Sequence, residues 1–291
     1  MAHKYPIIKI SRREKTFSKL LREIPDCPKE LYCRGETKLL NEKNVVAIVG
    51  SRRPSEYGLK QTRRIASDLA AQGIVVVSGM AIGIDAAAHR GALDGEGKTI
   101  AVLGTAIDKL YPATNFRLAQ DILANGGLIV SEYPAGYPFY RANFPLRNRI
   151  IAGLSSAVAV TEAAERSGSL ITAFLSVDYN REVFALPGNV DRILSRGTNY
   201  LIKKGACLLT SSEDILKFYN LWAKTGRNQK AVQLSLEEAK IINILSSGGY
   251  EFDTLAKLTA LGASELNSAL VILEMKKMIK CISGQYNLEG E

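Results

Sequence analysis

The residues best suited to chemistry lie close together near the middle of the chain. Phe144, Arg147 and Arg149 fall on one predicted helix, and after an apolar run the turn Ser167-Gly168-Ser169 opens the next helix. Arginine neutralises phosphate, an aromatic ring stacks on a base, and the free amides of a helix N-terminus bind anions. These residue types predict a site for a nucleotide or a nucleic acid.

The elements that must position these residues alternate short β-branched runs with helical patterns. The predicted strands are Val45–Val49, Ile74–Val77, Thr99–Leu103, Leu128–Val130, Ala157–Val160 and Glu182–Leu186. The predicted helices are Leu59–Ala71, Ile84–Leu93, Asn115–Asn125, Arg147–Gly153 and Leu170–Tyr179. Several strands are apolar throughout, as expected for strands covered on both faces. The alternation predicts an α/β domain with a doubly wound, mostly parallel sheet.

Small polar residues follow several of the predicted strands. Gly50, Ser51 and Arg52 come after the first strand, and Ser78 and Gly79 come after the second. Turn geometry explains any one such glycine, but several loops of this kind at one sheet edge favour a phosphate site. The first loop is not Gly-x-Gly-x-x-Gly, and no Gly-x-x-x-x-Gly-Lys-Ser/Thr motif occurs, which disfavours a dinucleotide oxidoreductase or a P-loop ATPase.

Composition limits the class of protein. With 291 residues and 46% hydrophobic content, the chain is long enough for about two domains. The four cysteines have no metal-like spacing, so we expect no disulfide framework, metal site or cofactor. No signal peptide or membrane anchor is predicted, and we expect a cytoplasmic protein without membrane contact.

The net charge of +9 is unevenly distributed. Residues 1–43 hold 11 Lys or Arg against 6 Asp or Glu, and residues 217–235 hold 4 against none. Residues 236–291 hold 5 against 8. The basic head and linker favour a polyanionic partner over an acidic small molecule. The head either assists that binding or only covers the sheet as a solvated cap.

Phe144 and the arginines around it have two interpretations. Phe144 is either a hydrophobic staple at a helix entry or a stacking platform for a base. In the first interpretation Arg147 or Arg149 is solvated or paired with Glu162, and in the second Arg141 and Arg147 neutralise phosphates. We favour the second interpretation because the aromatic loop 133–140 lies just upstream.

Several motifs follow one another in a fixed order. They are Gly50-Ser51-Arg52, Ser78-Gly79-x-Ala81-x-Gly83-Ile84-Asp85, Phe144-Pro145-x-Arg147-Asn148-Arg149, Ser167-Gly168-Ser169-Leu170-Ile171-Thr172-Ala173 and Glu182-Val183-Phe184-Ala185-Leu186-Pro187-Gly188. In this order they resemble the DprA/Smf family (DNA processing protein A). Many family members carry a helical N-terminal extension, and no role of that module is carried over to residues 1–43 here.

The resemblance implies an extended Rossmann-like domain that binds single-stranded DNA, forms a homodimer and delivers the strand to the recombinase RecA during uptake of transforming DNA. It also implies which residues contact the DNA. These are Gly50, Ser51, Arg52, Ser78, Gly79, Arg141, Phe144, Arg147, Asn148, Ser167, Gly168, Ser169 and Thr172. Arg141 stands where some relatives are expected to have lysine.

Four segments are predicted from charge and pattern. They are a basic segment 1–43 that caps the sheet, a Rossmann-like domain 44–216, a basic linker 217–235 and a C-terminal domain 236–291. The last domain shows a capping box at Ser235, two further helical segments and a β-wing, which indicates a winged helix. Because this domain is acidic, we expect a protein-interaction or regulatory role rather than binding to duplex DNA.

An enzyme is the main alternative. Phosphoribohydrolases that activate cytokinins combine a small-residue loop with an arginine-bearing helix, and here Glu162 or Asp85 with Arg147 would take the corresponding roles. The chain lacks the Pro-Gly-Gly-x-Gly-Thr-x-x-Glu loop of those enzymes. His89 is a candidate base, although a lone histidine on an alanine-rich helix is more often structural. We therefore predict no catalytic residues.

Overall fold

The chain forms two compact units, Met1–Ala223 and Lys224–Glu291. The computed structural model describes residues 5–221 and 235–288, with the exception of residues 277 and 283. Most of the predicted basic linker, 217–235, therefore lies outside the described residues. No single helix in the described ranges is both long and apolar enough to span a membrane; one pair, bent by 111°, meets that test only when taken together.

Within the described part of the first unit, nine strands form one sheet in the order β1-β2-β6-β5-β4-β3-β7-β8-β9. The strands are β1 Ile8–Ser11, β2 Glu30–Gly35, β3 Val45–Gly50, β4 Val75–Ser78, β5 Thr99–Leu103, β6 Leu128–Ser131, β7 Ala157–Glu162, β8 Glu182–Ala185 and β9 Cys207–Leu208. Neighbours from β6 to β9 are parallel, whereas β2 is antiparallel to β6 and β1. The predicted mostly parallel α/β sheet is thus confirmed.

Helices cover both faces of this sheet. They are α1 Lys19–Arg22, α2 Glu56–Ala71, α3 Ile84–Asp94, α4 Phe116–Ala124, α5 Asn143–Leu154, α6 Gly168–Asp178, α7 Arg196–Lys203 and α8 Ser212–Phe218. Helices α1, α5, α6 and α7 pack on one face, and α2, α3, α4 and α8 pack on the other. Successive side chains of β5 point to opposite faces of the sheet, so Ile100 packs in the core on one face and Ala101 packs in the core on the other.

The strand order reverses direction between β3 and β7. From β3 the chain continues to β4, β5 and β6 on one side, then returns through α5 to β7 on the other side. Two parallel strands whose connections leave in opposite directions open a crevice at their carboxyl ends, which is where ligands bind in open α/β sheets. This reversal positions the candidate site.

Helix α5 begins at Asn143, before the predicted start at Arg147. Pro145 lies in the first turn, where amides have no carbonyl partner within the helix and proline is tolerated. Phe144 therefore belongs to the rigid helix rather than to the loop before it.

The second unit consists of three helices and a small sheet within its described residues. The helices are α9 Leu236–Leu245, α10 Phe252–Thr259 and α11 Ala263–Met275, and the strands β10 Tyr250–Glu251, β11 Ile279–Ile282 and β12 Gln285–Leu288 pair in the order β10-β12-β11. The Ser235 hydroxyl accepts from the Glu238 amide at 3.2 Å, as the capping box predicts. Leu255, Leu266 and Leu270 form the core. This is the predicted winged helix.

Candidate nucleic-acid interface

A crevice of about 590 Å³ opens at the carboxyl edge of the sheet between β3 and β7. Its walls are the loop after β3, the first turns of α5 and the loop that leads into α6. Ten predicted site residues line it: Gly50, Ser51, Arg52, Phe144, Arg147, Asn148, Ser167, Gly168, Ser169 and Thr172. Ser78, Gly79 and Arg141 are not part of this lining.

The loop after β3 is held by main-chain contacts. The Ser51 amide donates to the Glu162 carbonyl oxygen at 2.7 Å, and the Ile84 amide donates to the Ser51 carbonyl oxygen at 3.1 Å. A Cβ at Gly50 would lie 2.8 Å from that same Glu162 oxygen, so a side chain there would push the strands apart. The Arg52 side chain is exposed beyond this fixed turn.

Arg147 is buried beneath the crevice, with only 4% of its surface exposed. Its guanidinium donates to the carbonyl oxygens of Gly79 and Val102, and thereby ties α5 to β4 and β5. A Cβ at Gly79 would lie 2.2 Å from Nη1, so only glycine leaves room for the guanidinium. Burial lowers the pKa of Arg147 to about 10, and the group remains charged at neutral pH.

Two further buried groups surround Arg147. Burial raises the pKa of the Asp85 carboxyl, and the positive charge of Arg147 works in the opposite direction. The Ala81 amide donates to Asp85 Oδ2 at 3.3 Å. The Ser78 hydroxyl is fully buried and donates to the Ile48 carbonyl oxygen at 2.6 Å. Ser78 thus lies in the support of the site, whereas Gly79 lines a small neighbouring cavity of about 80 Å³ together with Arg52, Phe144 and Arg147.

The N-terminus of α6 forms the opposite wall. Ser167 is the N-cap, and its hydroxyl accepts from the Ser169 amide at 3.3 Å. Asn148 Nδ2 donates to the Gly168 carbonyl oxygen at 3.3 Å and links α5 to this turn. Gly168 is exposed, with no atom within 4 Å of the position of a Cβ, and Thr172 lies buried one turn further on. First-turn amides and the helix dipole make this end suitable for an anion.

Three aromatic rings meet at the mouth of the crevice. The ring centroids of Tyr111, Phe139 and Phe144 lie 5.3–5.7 Å apart. The Arg52 guanidinium carbon lies 5.8 Å from the centroid of the Phe144 ring. A Cβ at Gly104 would lie 2.9 Å from Phe144 Cδ1, so glycine there lets the ring sit against the sheet. A cation and stacking surfaces are therefore side by side.

Two arginines that sequence reasoning did not assign also line the crevice. Arg53 and Arg166 are both exposed there. The only sequence signal was adjacency, since Arg53 follows Arg52 and Arg166 precedes the Ser-Gly-Ser turn. Arg141 is exposed in the loop before α5, where its carbonyl oxygen accepts from the Phe144 amide at 3.3 Å.

Glu162 is occupied within the fold. Its carboxylate accepts from the Ser55 amide at 2.7 Å and from the Ser55 hydroxyl at 2.5 Å. A Cβ at Gly58 would lie 2.4 Å from Glu162 Oε2. The alternative in which Arg147 or Arg149 pairs with Glu162 is wrong, because Arg149 pairs with Glu132 at 2.6 Å and Arg147 contacts carbonyl oxygens. Glu162 instead anchors the start of α2.

His89 is fully buried and does not reach the crevice lining. Its Nδ1 lies 2.7 Å from Thr99 Oγ1, and that hydroxyl donates to the Val76 carbonyl oxygen at 2.6 Å, so Nδ1 is the donor. Burial lowers the pKa of His89 to about 3. The imidazole is neutral throughout the physiological range.

This burial predicts a loss of stability on acidification. Below a pH of about 6.5 the unfolded chain binds a proton at His89, whereas the folded chain does so only near pH 3, so stability falls through that window. At pH 5 the loss is about 2 kcal/mol. Urea unfolding at pH 7 and pH 5 should show a smaller loss for His89→Asn, which does not titrate. An equal loss in both proteins would contradict the assignment.

Comparisons with known proteins agree with this architecture. Residues 9–220 match the family model of DNA recombination-mediator protein A, and residues 226–285 match the DprA winged helix domain. Protein Smf of Escherichia coli (strain K12) is 39% identical over 274 residues, which cover 90% of this chain and 72% of that protein.

The solved structures to which the chain is similar include two of DNA processing protein A. The X-ray structure of DNA processing protein A from Streptococcus pneumoniae aligns with a TM-score of 0.67 at 43% identity and covers 74% of each chain. DNA processing protein A from Helicobacter pylori, solved for its single-stranded DNA binding mode, aligns with a TM-score of 0.66 at 35% identity, over 76% of this chain and 98% of that one.

Proposed function

Because the chain belongs to the DNA recombination-mediator protein A family, we propose that it binds single-stranded DNA in the crevice between β3 and β7 without sequence preference. One observation carries this proposal. The exposed Arg52 guanidinium lies over the Phe144 ring, opposite the N-terminus of α6. A phosphate and a stacked base therefore find their contacts in one groove. The Helicobacter pylori relative, described as a single-stranded DNA binder, supports the same ligand.

The candidate residues take four roles in this proposal. The cations that neutralise phosphate are Arg52, Arg53, Arg141 and Arg166. The groups that cradle phosphate are the Gly168 amide and the hydroxyls of Ser51, Ser167 and Ser169, and Gly50 forms the close turn that lets the phosphate approach. Phe144 stacks on a base. The residues that keep the groove in shape are Ser78, Gly79, Arg147, Asn148 and Thr172.

The wider role is also a proposal. We infer that the chain is a homodimer that acts in the cytoplasm, protects incoming DNA and loads it onto RecA during natural transformation. Residues 44–216 would carry the DNA, with residues 1–43 as a basic cap, 217–235 as a linker and 236–291 as a winged helix that contacts a protein. We propose binding rather than catalysis because Glu162 and His89 are engaged inside the fold.

Arg52→Ala tests the crevice. Removing one phosphate contact should weaken binding of a labelled oligo-dT and reduce the slope of log affinity against log salt by about 0.7. Fluorescence anisotropy across a salt series measures both quantities. Arg64→Ala is the matched control, because Arg64 is exposed on α2, which packs on the sheet face opposite α5 and α6. If both variants bind like the native chain, the crevice is not the DNA site.

A further inference from the structure

Some cations of the N-terminal segment lie at the carboxyl edge of the sheet, where the parallel strands end, and others lie at the amino edge, where those strands begin. Strand β2 is antiparallel to β6 and pairs Tyr32 with Ser131, so the Glu30 end of β2 points toward the carboxyl edge. Strand β1 pairs Ser11 with Glu30, and the Arg12 amide donates to the Lys29 carbonyl oxygen at 2.9 Å. Arg12 and Arg13 therefore stand at the edge that holds the crevice.

Two lysines of the same segment lie at the opposite edge. Gly35, at the end of β2, pairs with Leu128, the first residue of β6. Lys38 follows in a short helical turn, and Lys43 lies two residues before β3, at its amino end. Both lysines are exposed, as are Arg12 and Arg13. Lys38 and Lys43 can therefore serve as a control that shows whether the position of the positive charge matters.

Arg12 and Arg13 form no ion pair with any described residue. Of their basic neighbours at this edge, Lys9 pairs with Glu30 at 2.7 Å and Arg149 pairs with Glu132 at 2.6 Å. Lys29, beside Arg12, is exposed and forms no ion pair with a described residue, so it adds to the positive charge there. Glu14 is exposed nearby, and its carboxylate accepts from the Ser11 amide at 2.7 Å. Two exposed guanidinium groups therefore remain available to a polyanion.

An aromatic loop lies between these arginines and the crevice. It follows β6 and leads into α5. Tyr133 and Tyr137 stack with centroids 4.6 Å apart, and Tyr140 lies 5.9 Å from Tyr137. Phe139 in the same loop contacts Phe144. Five strand spacings separate β3 from β1, a distance of roughly 24 Å that several nucleotides span.

We propose that single-stranded DNA held in the crevice continues over the aromatic loop to a second phosphate site at Arg12 and Arg13. This path rests on the proposed function and adds a contact to it. Strands too short to leave the crevice do not reach the arginines, whereas longer strands do. Strand length therefore separates the two sites.

The test compares two double variants on two oligonucleotides. Arg12→Ala/Arg13→Ala should bind an oligo-dT of about 5 nucleotides like the native chain, and should lower the salt slope for one of about 15 nucleotides by about 1.4. Lys38→Ala/Lys43→Ala, which removes the same charge from the opposite edge, should leave both slopes unchanged.

Two results would overturn the path. If both double variants lower the slope equally, or neither lowers it, while the native chain still binds, Arg12 and Arg13 make no local contact and only the path is rejected. If the native chain binds neither oligonucleotide, the proposed function fails first, and the path fails with it.

Discussion

Replacing Arg147 with methionine is expected to destabilise the first unit by about 3–5 kcal/mol. The change keeps an apolar stem of similar length but removes the donor to the Gly79 and Val102 carbonyl oxygens, which are then buried without a partner. It also leaves the buried Asp85 without the positive charge that opposes protonation. Urea unfolding followed by circular dichroism measures the loss.

Two further variants establish the cause. Arg166→Met makes the same chemical change at an exposed position of the crevice, and should alter stability by no more than about 0.5 kcal/mol. Asp85→Asn in the Arg147→Met background should recover part of the loss, because no buried carboxyl then lacks its counter-charge. Equal effects at Arg147 and Arg166 would show that the buried guanidinium does not hold α5 to the sheet.

Phe144→Ala is expected to weaken single-stranded DNA binding by about 1–3 kcal/mol, or roughly 5- to 150-fold. The ring lies half-buried at the crevice mouth, against Tyr111, Phe139 and Arg52. A neutral side chain releases no counterions, so the salt slope should not change. Anisotropy titrations with oligo-dT at several salt concentrations measure affinity and slope together.

Phe174→Ala is the matched control for this substitution. Phe174 is an exposed phenylalanine on α6, and it is not part of the crevice lining. Its loss should leave affinity unchanged. If Phe144→Ala alters the slope, or weakens binding no more than Phe174→Ala, the ring does not stack on a base.

The parallel core was predictable because its strands are apolar runs separated by helices of ordinary length. Strands β1 and β2 were not, because polar and apolar residues alternate in both. Ile8–Ser11 reads Ile-Lys-Ile-Ser with only Ile10 buried, and in Glu30–Gly35 only Leu31 and Cys33 are buried. Strand β9 has two residues and carries no periodicity at all. Pairing of β1 with β2, of β2 with β6 and of β9 with β8, rather than local pattern, makes these segments extended.

The crevice was predictable for a different reason. Loops after parallel strands converge, so Gly50, Ser51 and the Ser-Gly-Ser turn were assigned from strand ends alone. The burial of Arg147 was not predictable, because arginine is mostly exposed and its acceptors, Gly79 and Val102, come from two distant strands. Arg53 and Arg166 belong to no motif, and only the folded chain brings them together.

Strand β2 leaves the ribosome well before β6, the strand with which it pairs, since Gly35 of β2 lies opposite Leu128 of β6. Until β6 emerges, the β1–β2 ribbon has one open side, and closing so long a loop slows folding. Leu21 and Ile24 pack against Gly153 of α5, so this contact also forms only after α5 has been synthesised. The loop after β3 meets its opposite wall only when α6 has been made. During translation, the groove is therefore among the last features of the first unit to form.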